Sequence, residues 1–144
     1  MLSLSCKAAI KAVIYLGSKI EYSEKKRLKE IAACIQENEY TLGKLLQKLA
    51  KDGIIKSTKG PNGGFYMTEK QIDIPVIKII EAIDGKDIFN HCGLGLSQCS
   101  PDHPCPFHHD FKPIRELFQK MCQEKKISDL YAPVNDGLAY LAAL

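Results

Sequence analysis

Apolar residues recur at helical spacing from the start of the chain. Cys6, Ala9, Ile10, Val13, Leu16 and Gly17 share one face, while Lys7 and Lys11 share the other. This pattern predicts a helix over about 5–18. After the polar linker KIEYSEKK, Leu28, Ile31 and Ala32 predict a second, short helix over about 27–34. Leu42, Leu45, Leu46 and Leu49 predict a third over about 40–52, stopped by Gly53. Two short helices separated by a few residues make a helix-turn-helix candidate.

The period then shortens. GIIKST predicts a strand over Ile54–Thr58, KGPNGG a turn, and FYMT the returning strand. Three helices followed by a hairpin is the order of a winged helix, in which the third helix enters the major groove and the hairpin tip meets the backbone or minor groove. GPNG also matches the GXXG loop of RNA-binding KH modules, but here it joins two strands rather than two helices. A fourth amphipathic helix starts at Pro75, with Val76, Ile79, Ile80 and Ile83 as its stripe and Gly85 at its end. Phe107, Phe111, Ile114, Leu117, Phe118, Met121 and Cys122 predict a late helix, with Pro113 implying a kink or a late start. No remaining element covers this wide stripe, which points to a partner subunit. ISDLY predicts one more short helix. The pattern does not place the apolar tail GLAYLAAL.

The expected fold is therefore mainly α with a small β-hairpin: a winged helix-turn-helix plus a long C-terminal dimerisation helix. Residues 1–72 form the expected DNA-binding domain. Residues 73–144 form a dimerisation region with a ligand-rich loop over about 91–109.

Composition changes this picture little: 144 residues, 45% hydrophobic and 26% charged, suit one globular domain. No apolar run approaches the roughly 18 residues of a membrane span. The N-terminal run carries Lys7 and Lys11 inside it and lacks a charged leader, so it does not read as a signal peptide. The expectation is a cytoplasmic chain without a membrane partner, its cysteines reduced. Charge changes more. Residues 1–70 hold 13 Lys/Arg against 7 Asp/Glu, and residues 71–144 hold 7 against 10. A basic front half behind a winged-helix pattern points to double-stranded DNA. On the third helix Tyr40, Thr41 and Lys44 face outward near the N-terminus, where base edges are within reach. Lys48 and Lys51 follow at positions suited to phosphate. Lys59 and Asn62 project from the hairpin tip, and Lys7 on the first helix completes the candidate DNA-binding set.

The back half carries a different chemistry. Three of six cysteines and all four histidines lie between His91 and His109. Cysteines clustered with histidines point to metal or redox chemistry. Cys92, Cys99, Cys105 and His108 are the ligand candidates, spaced C-x6-C-x5-C-x2-H. The wide first gaps suit a loop wrapped around an iron–sulfur cluster better than a zinc knuckle. His91, His103 and His109 read as solvent-facing or as supports to the ligands rather than as ligands, and Cys6, Cys34 and Cys122 as core. Two rivals stay open. One is the same winged helix with zinc or no metal, responding to thiol oxidation or a partner protein. The other is a Cys105–His108 nucleophile pair, for which no orienting group or oxyanion site is readable, so the chain does not read as an enzyme.

With LKEIA from Leu28, LLQKLAKDGIIKSTKGPNGGF from Leu45, IIEAIDG from Ile79 and the loop C…C…CPFH, the chain resembles the Rrf-two family of bacterial winged-helix regulators. That family includes the iron–sulfur cluster regulator, the nitric-oxide-sensitive repressor and the cysteine-metabolism repressor. The resemblance implies a homodimer on palindromic DNA, a late helix that crosses the partner, and an iron–sulfur cluster on Cys92, Cys99 and Cys105. His108 stands where the iron–sulfur cluster regulator has its histidine ligand, favouring 2Fe–2S over 4Fe–4S. In the nitric-oxide branch a carboxylate from the partner's first helix helps hold a 4Fe–4S cluster. Here the matching position is Ala8. Leu2 and Lys59 stand where the family often has Arg, and Gly43 where it often has a base-reading Glu, which implies a different operator. The gap between the first two cysteines is one residue longer than in the iron–sulfur cluster regulator.

Overall fold

The computed structural model describes residues 2–22 and 24–141; the last three residues of the apolar tail, 142–144, lie outside them. Helix α1 (Leu4–Ser18) is capped by Ser3, whose hydroxyl accepts the Cys6 N–H at 3.0 Å. Helix α2 (Leu28–Ile35) ends at Gln36, which takes a left-handed φ of 58°. Helix α3 (Glu39–Lys51) begins at Asn38, whose side chain accepts the Thr41 N–H at 3.0 Å. A left-handed residue followed two positions later by a side-chain cap makes the tight turn that sets α3 across α2.

Strands β1 (Lys56–Thr58) and β2 (Gly64–Tyr66) pair antiparallel, with Ser57 opposite Phe65. Both are shorter than the pattern predicts. The Ile54 N–H turns back to the Leu49 carbonyl at 3.0 Å. Ile54, Ile55 and Met67 then drop into the core instead of extending the ladder. Lys26 bridges the other edge of β2, exchanging two 2.8 Å backbone hydrogen bonds with Phe65. At the hairpin tip only glycine fits position 63, where a Cβ would lie 2.3 Å from the Thr58 carbonyl oxygen.

Helix α4 (Val76–Asp84) is followed by a 3-10 turn (Lys86–Asn90), the cysteine-rich loop, α5 (His108–Glu124) and α6 (Ile127–Asn135). The segment entering α4 is clipped to the α5–α6 turn: Val76 donates to the Lys125 carbonyl at 2.8 Å, and Ile127 to the Ile74 carbonyl at 3.0 Å. Helix α5 starts at His108 and runs through Pro113. The proline sits in the second turn, beside an exposed His109, where water can reach the carbonyl left without its helical donor. Helix α6 continues four residues past the predicted ISDLY.

Two apolar clusters build the interior. The larger joins Ala9, Ala12, Val13 and Leu16 of α1 to Ile31 and Ile35 of α2, to Leu42, Leu46 and Leu49 of α3, and to Ile79 and Ile127. The smaller holds Cys6, Val76, Ile77, Ile80, Phe89 and Cys122. Helix α1 therefore contributes to both, with Ile10 packed against each. Its small residues let neighbours come close: a Cβ on Gly17 would meet the Tyr131 ring of α6 at 2.5 Å. Burial pushes the Cys6 thiol up to about 12, with Asp84 adding to the effect, and burial also raises Cys122. Cys34 corrects the sequence reading. It is exposed, because α2 buries only the narrow stripe of Ile31, Ala32 and Ile35. Among the described residues no helix is long and apolar enough to cross a membrane.

Candidate nucleic-acid interface and metal centre

The buried stripe of α3 is Leu42, Leu46 and Leu49, with Leu45 half-buried, so the helix turns its other face to solvent. Tyr40, Thr41, Lys44, Gln47, Lys48 and Lys51 are all exposed there. The Lys44 ammonium lies 4.6 Å from the centre of the Tyr40 ring, which holds both side chains at the N-terminal end of α3. Lys48 pairs with Asp52 at 3.1 Å. An exposed pair of this kind contributes at most about 1 kcal/mol, so a phosphate can displace the carboxylate. Gly43 is half-buried, and a Cβ there would lie 3.1 Å from Leu28 of α2. The position where the resembling family often carries a base-reading residue is here part of helix packing.

Lys59 and Asn62 are exposed at the hairpin tip. The tip is anchored by a residue the sequence reading passed over. Arg27, just before α2, donates from its guanidinium to the Pro61 carbonyl. Together with the Lys26–Phe65 bridge, this ties the wing to the start of the helix-turn-helix. Lys7 is exposed on α1. One turn further along the same face, Lys11 pairs with Glu37 and donates to the Ile35 carbonyl at 3.3 Å. No sequence signal marks either Arg27 or Lys11 as a brace, because each depends on a partner remote in the chain.

The cysteine-rich loop leaves the 3-10 turn at His91 and ends at the first residue of α5, His108. A tight turn between Ser100 and His103, closed by hydrogen bonds of 3.1 and 3.2 Å, folds its middle back. The sulfurs of Cys92, Cys99 and Cys105 consequently all lie within 4.8 Å of one another. Cys92 and Cys105 are 3.4 Å apart, and Cys99 is 3.3 Å from Nδ1 of His108. His108 thus reaches one sulfur rather than all three. All three cysteines are free and half-exposed. His91, His103 and His109 are exposed, in keeping with their expected lesser role.

The donor chemistry fits a thiophilic metal group. Backbone N–H groups already face the sulfurs: Leu94 donates to Cys92 and Cys105 to Cys99, each at 3.4 Å. Such donors stabilise thiolate over thiol, as ligation requires. Backbone N–H groups of Leu96 and Leu94 are the main reason the Cys92 thiol falls to about 7. Cys105 moves the other way, raised first by desolvation and then by its contact with Cys92. Metal uptake needs the thiolate, so it weakens as pH falls through about 7. In the metal-free protein, iodoacetamide labelling of Cys92 should rise with a midpoint at pH about 7, while Cys105 labels only above the ordinary thiol range. Peptide mass spectrometry over a pH series checks this. A Cys92 midpoint at the ordinary value of about 8.5 contradicts it.

Comparison with known proteins places this arrangement. The family model Rrf2, described as an iron-dependent transcriptional regulator, matches residues 2–133. A protein of Aquifex aeolicus (strain VF5), provisionally described as an HTH-type transcriptional regulator, is 30% identical over 106 residues, 72% of this chain and 74% of that one. The HTH-type transcriptional regulator NsrR of Oceanobacillus iheyensis is 24% identical over 92% of this chain and 90% of its own. Among solved structures, CymR, the global cysteine regulator of B. subtilis, superposes with a TM-score of 0.73 at 22% identity, covering 92% of this chain and 96% of CymR. T. potens IscR gives 0.71 at 18% identity, covering 97% and 92%. The mainly helical fold with its two-stranded wing is that of these regulators. A family match over nearly the whole chain, on a winged helix backed by a three-cysteine loop, makes this protein a member of the Rrf2 family of transcriptional regulators.

Proposed function

We propose that the protein is a cytoplasmic, homodimeric repressor whose affinity for a palindromic operator is set by an iron–sulfur cluster held by Cys92, Cys99, Cys105 and His108. The observation that carries this reading is the gathering of three free thiols and an imidazole in one loop, directly between α4 and α5. The description of the family as iron-dependent supports iron as the metal. His108 supplies the fourth donor for a 2Fe–2S cluster. Ala8 carries no carboxylate and is buried within its own protomer, so it lends no ligand to a partner's 4Fe–4S cluster.

The dimer reading rests on α5. Phe107, Ile114, Leu117 and Met121 are 48–69% exposed along one side of it, too large an apolar stripe to leave in water. A second copy crossing this helix buries it and gives a two-fold axis, which matches a palindromic site with half-sites about 34 Å apart. Ligation of the loop residues ties the end of α4 to the start of α5. That changes how two recognition helices are spaced and favours one DNA state over another. Tyr40, Thr41 and Lys44 meet base edges; Lys48, Lys59, Asn62 and Lys7 meet the backbone.

A second reading has one observation in its favour. Three sulfurs within 4.8 Å match a single tetrahedral ion, whose sulfur ligands stand about 3.8 Å apart at zinc–sulfur bond lengths. Purification without oxygen separates the two. The cluster reading expects a coloured protein with iron and acid-labile sulfide in equal amounts, lost on Cys92→Ala, Cys99→Ala or Cys105→Ala. Zinc without sulfide supports the single ion. A colourless protein that takes up no iron and sulfide on reconstitution contradicts the cluster.

The DNA surface has its own test. Lys48→Ala should weaken binding to all sequences alike and lower the salt slope by about 0.9. Thr41→Ala should instead change the preferred base at its contact, by about 1–3 kcal/mol between sequences. Fluorescence anisotropy on specific and scrambled duplexes at several salt concentrations reads both. Unchanged binding in both variants means that α3 does not face the DNA.

A further inference from the structure

A cavity of about 280 Å³ lies between the 3-10 turn, the first residues of the cysteine loop and α5. Ile88 and Phe89 of the 3-10 turn and Phe111 and Phe118 of α5 supply its apolar surface, with the Phe89 and Phe118 rings packed on each other at 5.8 Å between centroids, and His91 adds a polar edge. Cys92 and Gly93 form its rim. Gly93 presses directly on the wall, since a Cβ there would come within 2.9 Å of the Phe111 ring.

One cation stands in this apolar setting. Arg115 of α5 lines the cavity and donates from Nη1 to the His91 carbonyl at 2.7 Å. Its Nε is buried and has no hydrogen-bond partner. No acidic side chain lines the cavity. That Nε lies out of reach of solvent, so a ligand in the cavity meets the outer Nη end of the guanidinium, whose charge and donors match a carboxylate. Aromatic walls around a convergent cationic donor are the usual make-up of a small-molecule site.

We propose that this cavity binds a small acid with an apolar body, an aryl or branched alkyl carboxylate, with Arg115 as its counter-ion. The carboxylate pairs with the outer Nη end of the guanidinium, and the apolar body lies against the ring surfaces that Phe111 and Phe118 present to the cavity. Because Cys92 and Gly93 form the rim, an occupied cavity braces the start of the loop and gives the regulator a second input beside the thiol group. The site needs neither metal nor DNA, so it stands apart from the cluster reading.

Metal-free full-length protein, titrated with phenylacetate and followed by NMR, tests this. Saturable shifts are expected at Gly93, Phe111 and the Arg115 guanidinium, with a Kd of about 1 mM or tighter for a probe of this size. The neutral isostere phenylacetamide should bind at least tenfold more weakly, and Arg115→Gln should lose at least tenfold for phenylacetate. The amide comparison uses the unaltered chain and therefore stands even if the variant misfolds. Equal binding of acid and amide overturns the proposal. So does the absence of saturable shifts, which means that solvent or a second copy of the chain holds the cavity.

Discussion

The burial of α1 holds the rest of the molecule in register. One helix with alanines at Ala8, Ala9 and Ala12 and glycine at Gly17 lets α2, α3, α4 and α6 approach its axis closely. Its C-terminal two-thirds belong to the core behind α3, and its Cys6 end to the smaller core shared with α4, the 3-10 turn and α5. Ser3 extends the link by hydrogen-bonding Asp84, the last residue of α4, at the point where the chain turns toward the cysteine loop. Any change in the loop that moves α4 is therefore felt along the helix that backs α3. Core packing at interior density transmits such shifts rather than absorbing them.

A division of labour follows from this frame. Basic and polar side chains crowd the face of α3 and the wing, where Arg27 and Lys26 keep the hairpin tip fixed to the helix-turn-helix. Three thiols crowd the largely exposed loop between the 3-10 turn and α5. A loop held by local turns, sulfur contacts and the Arg115 hydrogen bond carries little ordering energy, so ligation has large leverage over its conformation. Arg115 joins this loop to α5 through the His91 carbonyl. It thereby links the candidate metal group to the helix whose apolar stripe faces outward.

Much of this was legible from periodicity. The leucines of α3 and the stripes of α1 and α4 fall where burial puts them, because each helix has one face to hide and the spacing records it. Hairpin limits were less legible. Ile54, Ile55 and Met67 look like strand residues, yet the core takes them, and apolar identity alone does not distinguish a ladder position from a plug. Cys34 failed for a related reason: a helix of two turns buries too narrow a stripe to include it. Pro113 looks like a breaker but sits where an exposed carbonyl tolerates it. The cysteine group was visible as clustered composition, and the fold-back through Ser100–His103 that collects the sulfurs was not. Arg27 and Arg115 were invisible, because each acts on a backbone carbonyl that only the tertiary fold brings near.

On the proposed reading, ligation at Cys92, Cys99, Cys105 and His108 controls how α3 meets DNA. The most direct test measures the affinity of one protein preparation for a selected operator at fixed salt, before and after the metal group is removed by chelation and again after anaerobic reconstitution. Control through the loop requires an affinity change of at least about tenfold, or 1.4 kcal/mol, reversed on reconstitution and absent in Cys92→Ala. Equal affinity in the loaded and stripped states would contradict it.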